Sequence, residues 1–110
     1  MFTPGDVILI DFPGIQGTKP RPGIVVSSAN YHLVRPDVIV GLCTSNIASG
    51  RTSMDYLLQD WLAAGLTMPT AYRSFFTTTT VRRVHHLIGH LSDHDWAEVQ
   101  SRLRRAIAVT

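Results

Sequence analysis

Eight glycines and six prolines fall between Pro4 and Gly89 and none follow, so most of the chain must be built from short pieces. Proline breaks helices and glycine weakens them, and both mark turns. The pieces between them are apolar and β-branched. Val7–Phe12 is opened by Gly5 and closed by Pro13-Gly14, Ile24–Ser28 follows Pro20 and Pro22, and Val38–Cys43 lies between Arg35-Pro36-Asp37 and the polar Thr44-Ser45-Asn46. Met54–Leu58 reads as a fourth strand and Asp60–Leu66 as a turn around Gly65. Thr70–Thr80 reads as one long or two short strands, its Thr77–Thr80 end having the polar outer face of an edge, and His85–His90 as a last strand.

Two connections stand out. Glycines and prolines in Pro13–Pro20 deny that segment regular structure and leave Thr18, Lys19 and Arg21 to face something other than a core, which marks it as a working loop. A second connection runs from Thr44 to about Thr52. The one helix expected begins at Ser92, whose hydroxyl can cap it, with Asp93 and Asp95 at its positive end. Trp96, Val99, Leu103, Ala106 and Ile107 recur at helical spacing as its core face, and Arg102, Arg104 and Arg105 lie off that stripe.

No helices remain for parallel crossovers. The expected fold class is therefore mainly β, a small bent antiparallel sheet or partly open barrel with a C-terminal α-helix. Such a barrel has little interior room, so function belongs on its surface loops. With 110 residues and 45% hydrophobic content, residues 1–110 are expected to form a single domain. The lone Cys43 leaves no intramolecular disulfide to form, which suits a reducing compartment, and the N-terminus lacks the pattern of a signal peptide. A soluble cytoplasmic protein without membrane association is the expectation.

The net charge is only +2 with a pI near 9.1. Its distribution says more, because acidic residues are scattered while Lys19 and Arg21, Arg82 and Arg83, and Arg102, Arg104 and Arg105 are grouped. Two such groups on one face would make a patch for a polyanion such as RNA. His85, His86, His90 and His94 lack a cysteine or carboxylate pair to complete a tetrahedral set, so no metal and no cofactor are expected. Cys43 reads as a small core residue, and Trp61, Phe75 and Phe76 as packing or interface aromatics, with base stacking as the alternative.

Several short motifs in order resemble the MazF/PemK toxins. They are Gly5-Asp6-Val7 before an apolar strand, Lys19-Pro20-Arg21-Pro22-Gly23 leading into Ile24-Val25-Val26-Ser27, Val38-Ile39-Val40 running to Cys43-Thr44-Ser45, Ala64-Gly65-Leu66 before Pro69-Thr70, and Ile88-Gly89-His90-Leu91-Ser92 before the helix. The resemblance covers nearly the whole chain. It implies an SH3-like barrel that forms a homodimer, cuts single-stranded RNA at short sequences without a metal, and is silenced by a cognate antitoxin protein.

Carried over by position, the family's catalytic arginine and threonine fall on Arg21 and Thr44, and the RNA-contacting set comprises Gln16, Thr18, Lys19, Ser45 and Asn46. The implied chemistry is attack of a 2′-OH on its neighbouring phosphate, giving a cyclic phosphate and a 5′-OH. An arginine offers a planar fork of donors to phosphate and a threonine a hydroxyl donor. The loop before Arg21 has no acid where many relatives carry a glutamate, so the general base is left open. Two other readings stand beside this one, a non-enzymatic gyrase-binding toxin like CcdB and a degenerate RNA- or protein-binding module on the same barrel.

Overall fold

The structure, a computed structural model, describes residues 1–14, 17–48 and 51–108. Its strands are β1 (Asp6–Gly14), β2 (Gly17–Val25), β3 (Asp37–Thr44), β4 (Tyr56–Leu57), β5 (Ala71–Thr80) and β6 (His86–His90), and its helices α1 (Ala29–Val34) and α2 (Asp93–Ala106). All pairings are antiparallel, in the order β4-β5-β3-β2-β1-β6. Two strands separate β1 from β5 in the sheet, yet the rings of Phe12 and Phe75 lie 6.0 Å apart. The sheet therefore curls into a partly open barrel, as expected from the many short strands.

The alternation of each strand divides the core in two. Ile8, Ile10, Phe12, Val25, Val38 and Val40 pack together inside the curl. The opposite-facing Val7, Ile24 and Cys43 pack with Tyr72, Leu91 and Val99 of α2. Helix α2 is tied down by Asp95, which is fully buried. Its carboxylate accepts from the Tyr56 hydroxyl at 2.6 Å and from the backbone N–H groups of Gln59 and Asp60 at 3.1 and 2.8 Å. A buried carboxylate is tolerable only when satisfied in this way. Burial, and then the bond to Asp95, push the Tyr56 hydroxyl well above its ordinary pKa, which keeps it a donor.

Several expectations need correction. Pro13–Pro20 is not an irregular loop as a whole: β1 and β2 continue as a hairpin that pairs Asp11 with Pro20, Phe12 with Lys19 and Pro13 with Thr18. Prolines fit because Val26 donates its N–H to Ile39 of β3, so even-numbered residues of β2 turn their nitrogens away from β1. At Pro20 and Pro22 that side has no partner strand, and no ladder bond is lost. The second strand accordingly ends at Val25, not Ser28.

Ser28 instead caps the unexpected short helix α1, accepting from Tyr31 N. The fourth strand shrinks to Tyr56–Leu57. Ala106 and Ile107, at the last residue and C-cap of α2, are exposed; Asp95, expected to serve the start of the helix, is also a core hub. Arg102 is half-buried, with its guanidinium 4.8 Å above the Tyr56 ring and 2.6 Å from Glu98.

Candidate functional site

Strands β2 and β3 pair only where Gly23–Val25 meet Val40–Leu42. That close approach requires glycine, since a Cβ at Gly23 would sit 2.3 Å from a Val40 methyl. Beyond it the ladder stops, and the ends of both strands, with Lys19, Arg21, Cys43, Thr44 and Ser45, line an open hollow of about 350 Å³ together with Leu66, Thr67, Met68 and Thr70. A second hollow, of about 870 Å³, includes Phe12, Asn46, Asp55, Arg73, Phe75 and Arg105 in its lining. Arg21 and Thr44 border both, so they form the ridge between them.

A bulge shapes the second hollow. Against β3, the pairing of β5 jumps from Gly41–Phe76 to Cys43–Tyr72, so Arg73, Ser74 and Phe75 all stand opposite Leu42 alone. Asp55 pins this bulge: its carboxylate accepts from Ser74 N at 3.4 Å and Thr52 N at 2.9 Å and lies 3.8 Å from Arg73 Nε. The Ser74 hydroxyl donates to Met54 O at 2.7 Å. Phe75, left 54% exposed, presents an aromatic face at the groove.

Thr44 is nearly buried, and its Oγ1 accepts from Asn46 N at 3.1 Å. One lone pair is thereby engaged, while the O–H hydrogen stays available to donate. Cys43, beside it, is fully buried, and desolvation pushes its thiol far above the ordinary range. The hollow thus holds a cationic fork and a hydroxyl donor next to an inert thiol, a combination suited to a phosphate group.

Of the residues singled out in the sequence, Lys19, Arg21, Thr44 and Ser45 border the first hollow, and Asn46 the second. Thr18 does not join them: strand alternation turns it to a separate cleft. Gln16 lies outside the described residues. His85 and His90 pair with Asp11 and Asp6 at 2.9 and 2.8 Å, and no cluster of three metal-ligating side chains occurs among the described residues. Sequence reasoning missed Arg73, Ser74 and Asp55. The consecutive polar pair Arg73-Ser74, set between Tyr72 and Phe75 where strict alternation would be expected, was the available signal for the first two, and nothing local marks Asp55.

The chain matches the model of the family described as PemK-like, MazF-like toxin of type II toxin-antitoxin system over residues 3–107. No curated protein matches it significantly. Among solved structures, it resembles an endoribonuclease in complex with its cognate antitoxin from Mycobacterial species, at 16% identity and TM-score 0.79, covering 100% of this chain and 98% of that one. It also resembles the Mycobacterium tuberculosis toxin MazF-mt6, at 15% identity and TM-score 0.73 over 92% and 94% of the two chains. The MazE-MazF structure from Deinococcus radiodurans matches at 17% identity and TM-score 0.71, over 99% and 97%. At these identities the likeness speaks for the fold.

Proposed function

This chain belongs to the PemK-like, MazF-like toxins of type II toxin–antitoxin systems, and from that premise we propose that it is an endoribonuclease cutting single-stranded RNA at the ridge formed by Arg21 and Thr44. The observation that carries the reading is the meeting of these two side chains on the border of both hollows, with Lys19, Arg73 and Arg105 in the walls. An extended polyanion laid across the ridge would put a phosphate over Arg21 and neighbouring nucleotides in the hollows on either side. Related structures bear the name endoribonuclease, which agrees with this chemistry.

In the proposed reaction the 2′-oxygen bonds to the adjacent phosphorus, the bond from phosphorus to the 5′-oxygen breaks, and the 2′ proton passes, in net, to the departing oxygen. The products are a cyclic phosphate and a 5′-OH. Arg21 stabilises the charge that grows on the non-bridging oxygens, and Thr44 donates its free hydroxyl hydrogen to one of them. Asp55 is the only carboxylate bordering either hollow among the described residues. Its bonds to Thr52, Ser74 and Arg73 fit it to hold the wall in place rather than to take a proton.

A cognate antitoxin is the proposed silencing partner; the related endoribonuclease noted above is in complex with its own. The acting form is proposed to be a homodimer of this single 110-residue unit, for which exposed Leu87, away from both hollows, supplies apolar surface. Sedimentation showing only monomer at working concentration would remove that part. No helix among the described residues is long and apolar enough to cross a membrane, and the place of action proposed is the cytoplasm. The test is cleavage of a long RNA in EDTA by the wild type, Arg21→Ala and Thr44→Ala proteins, with end-group analysis. Discrete cuts ending in cyclic phosphate, lost in both variants, are expected; a folded wild type that binds RNA without cutting it overturns the enzyme reading.

A further inference from the structure

One basic group named in the sequence, Arg82-Arg83, has no part in the ridge. It belongs to the 3-10 turn Val81–Arg83 between β5 and β6, and both arginines are exposed. Neither side chain makes a hydrogen bond or ion pair among the described residues. They border a cleft of about 800 Å³ together with the row Thr77, Thr78 and Thr79 of β5. The one acid in its lining, Asp11, has its carboxylate 2.9 Å from His85 Nε2 and forms no ion pair with either arginine, so the lining carries two guanidinium groups against one carboxylate.

Pro13 lines both this cleft and the hollow that contains Arg21, Thr44 and Arg73, so the two are adjacent across the β1–β2 hairpin. Apart from Pro13 and Val84, every lining side chain is polar. A folded peptide anchors itself through apolar side chains in pockets, and this cleft offers few. It does offer hydroxyls and unpaired guanidinium groups, the donors that phosphate oxygens accept from.

We propose that the cleft formed by Thr77–Thr79, Arg82 and Arg83 is a second RNA subsite, holding the phosphate backbone of nucleotides that lie beyond those spanning the cut. This rests on the ribonuclease reading. It holds the strand without touching the reacting phosphate, so it adds affinity for long RNA and leaves the chemical step alone.

The experiment compares the wild type with Arg82→Ala/Arg83→Ala and with Arg82→Lys/Arg83→Lys. Binding to 2′-O-methyl oligonucleotides of increasing length, which lack the attacking hydroxyl, is measured across a salt series alongside cleavage of a short and a long RNA. For the alanine pair we expect about tenfold weaker binding of the longest oligomer and a log K against log salt slope shallower by about one to two. Binding of the shortest oligomer and kcat on the short RNA stay at the wild-type level, and the lysine pair recovers most of the loss. Equal affinity and slope for all oligomers, with RNA still cut by every form, overturns the second subsite and leaves the ribonuclease standing. Equal loss on short and long oligomers overturns it too, since the arginines would then belong to the first site. A folded wild type that neither binds nor cuts RNA removes both.

Discussion

Thr44 carries two duties in one hydroxyl, and they can be separated by substitution. Its Oγ1 caps the turn by accepting from Asn46 N, while its hydrogen is assigned to the scissile phosphate. Thr44→Val keeps the shape but removes both, and is expected to lower kcat about 100-fold, the scale of losing one preorganised donor. Thr44→Ser keeps the hydroxyl and should retain most activity in the same cleavage assay. If the serine variant is as inactive as the valine one, the methyl group and its packing matter and the donor role is wrong. Cys43, one residue away, makes a contrasting prediction. Because it is fully buried and its thiol pKa is driven up by desolvation, native protein should resist alkylation by iodoacetamide at neutral pH, and unfolded protein should react. Modification of the native protein at the unfolded rate, read by mass spectrometry, would show that the β3 end opens.

Strand β5 shows why parts of the site were legible in the sequence and others were not. Thr44 directly follows the apolar run Val38–Cys43, and a run that stops at a polar residue is a local signal, while Arg21 is marked by the motif Lys19-Pro20-Arg21-Pro22-Gly23 ahead of the next run. The bulge that sends Arg73, Ser74 and Phe75 together into the groove is set by pairing with β3, some thirty residues earlier in the chain, so no local pattern of β5 contains it. Asp55 was equally silent, because its partners Ser74 and Arg73 come from another strand. The hairpin through Pro13–Pro20 was misread for a related reason, since proline excludes a ladder bond only on the side its nitrogen faces. Asp55→Asn tests what the pin does. The amide keeps one acceptor for a backbone N–H but loses the charge facing Arg73, so a stability loss of about 1 kcal/mol is expected together with a several-fold rise in KM and little change in kcat. Thermal unfolding and steady-state cleavage read the two effects separately. An unchanged KM in a destabilised protein would reduce Asp55 to a structural tie.

At the scale of the molecule, the packing of the curled sheet against α2 sets the response to alkaline pH. The face under α2 buries tyrosine hydroxyls. Tyr72 is wholly buried and its pKa is pushed up from 10.0 to about 12, first by burial, with Ser74 opposing. Tyr56 is raised as well, by burial and by its bond to Asp95. In the unfolded chain both phenols ionise near their ordinary value, while in the folded chain they stay neutral. The unfolded state therefore releases protons first, and stability falls as pH rises from about 10 to about 12, with the contribution complete below 10. The expected result is a melting temperature that is level through mildly alkaline pH and then drops steeply. Over the same interval, absorbance should register the tyrosinates of Tyr56 and Tyr72 only as the protein unfolds. Tyr72→Phe removes one of the two phenols and should make that drop shallower, at the cost of the Ser74 contact at 3.4 Å. In a Tyr31→Phe background, which removes the third tyrosine lying outside this core, tyrosinate appearing in still-folded protein near pH 10, with no loss of melting temperature, would mean that water reaches the space between the sheet and α2.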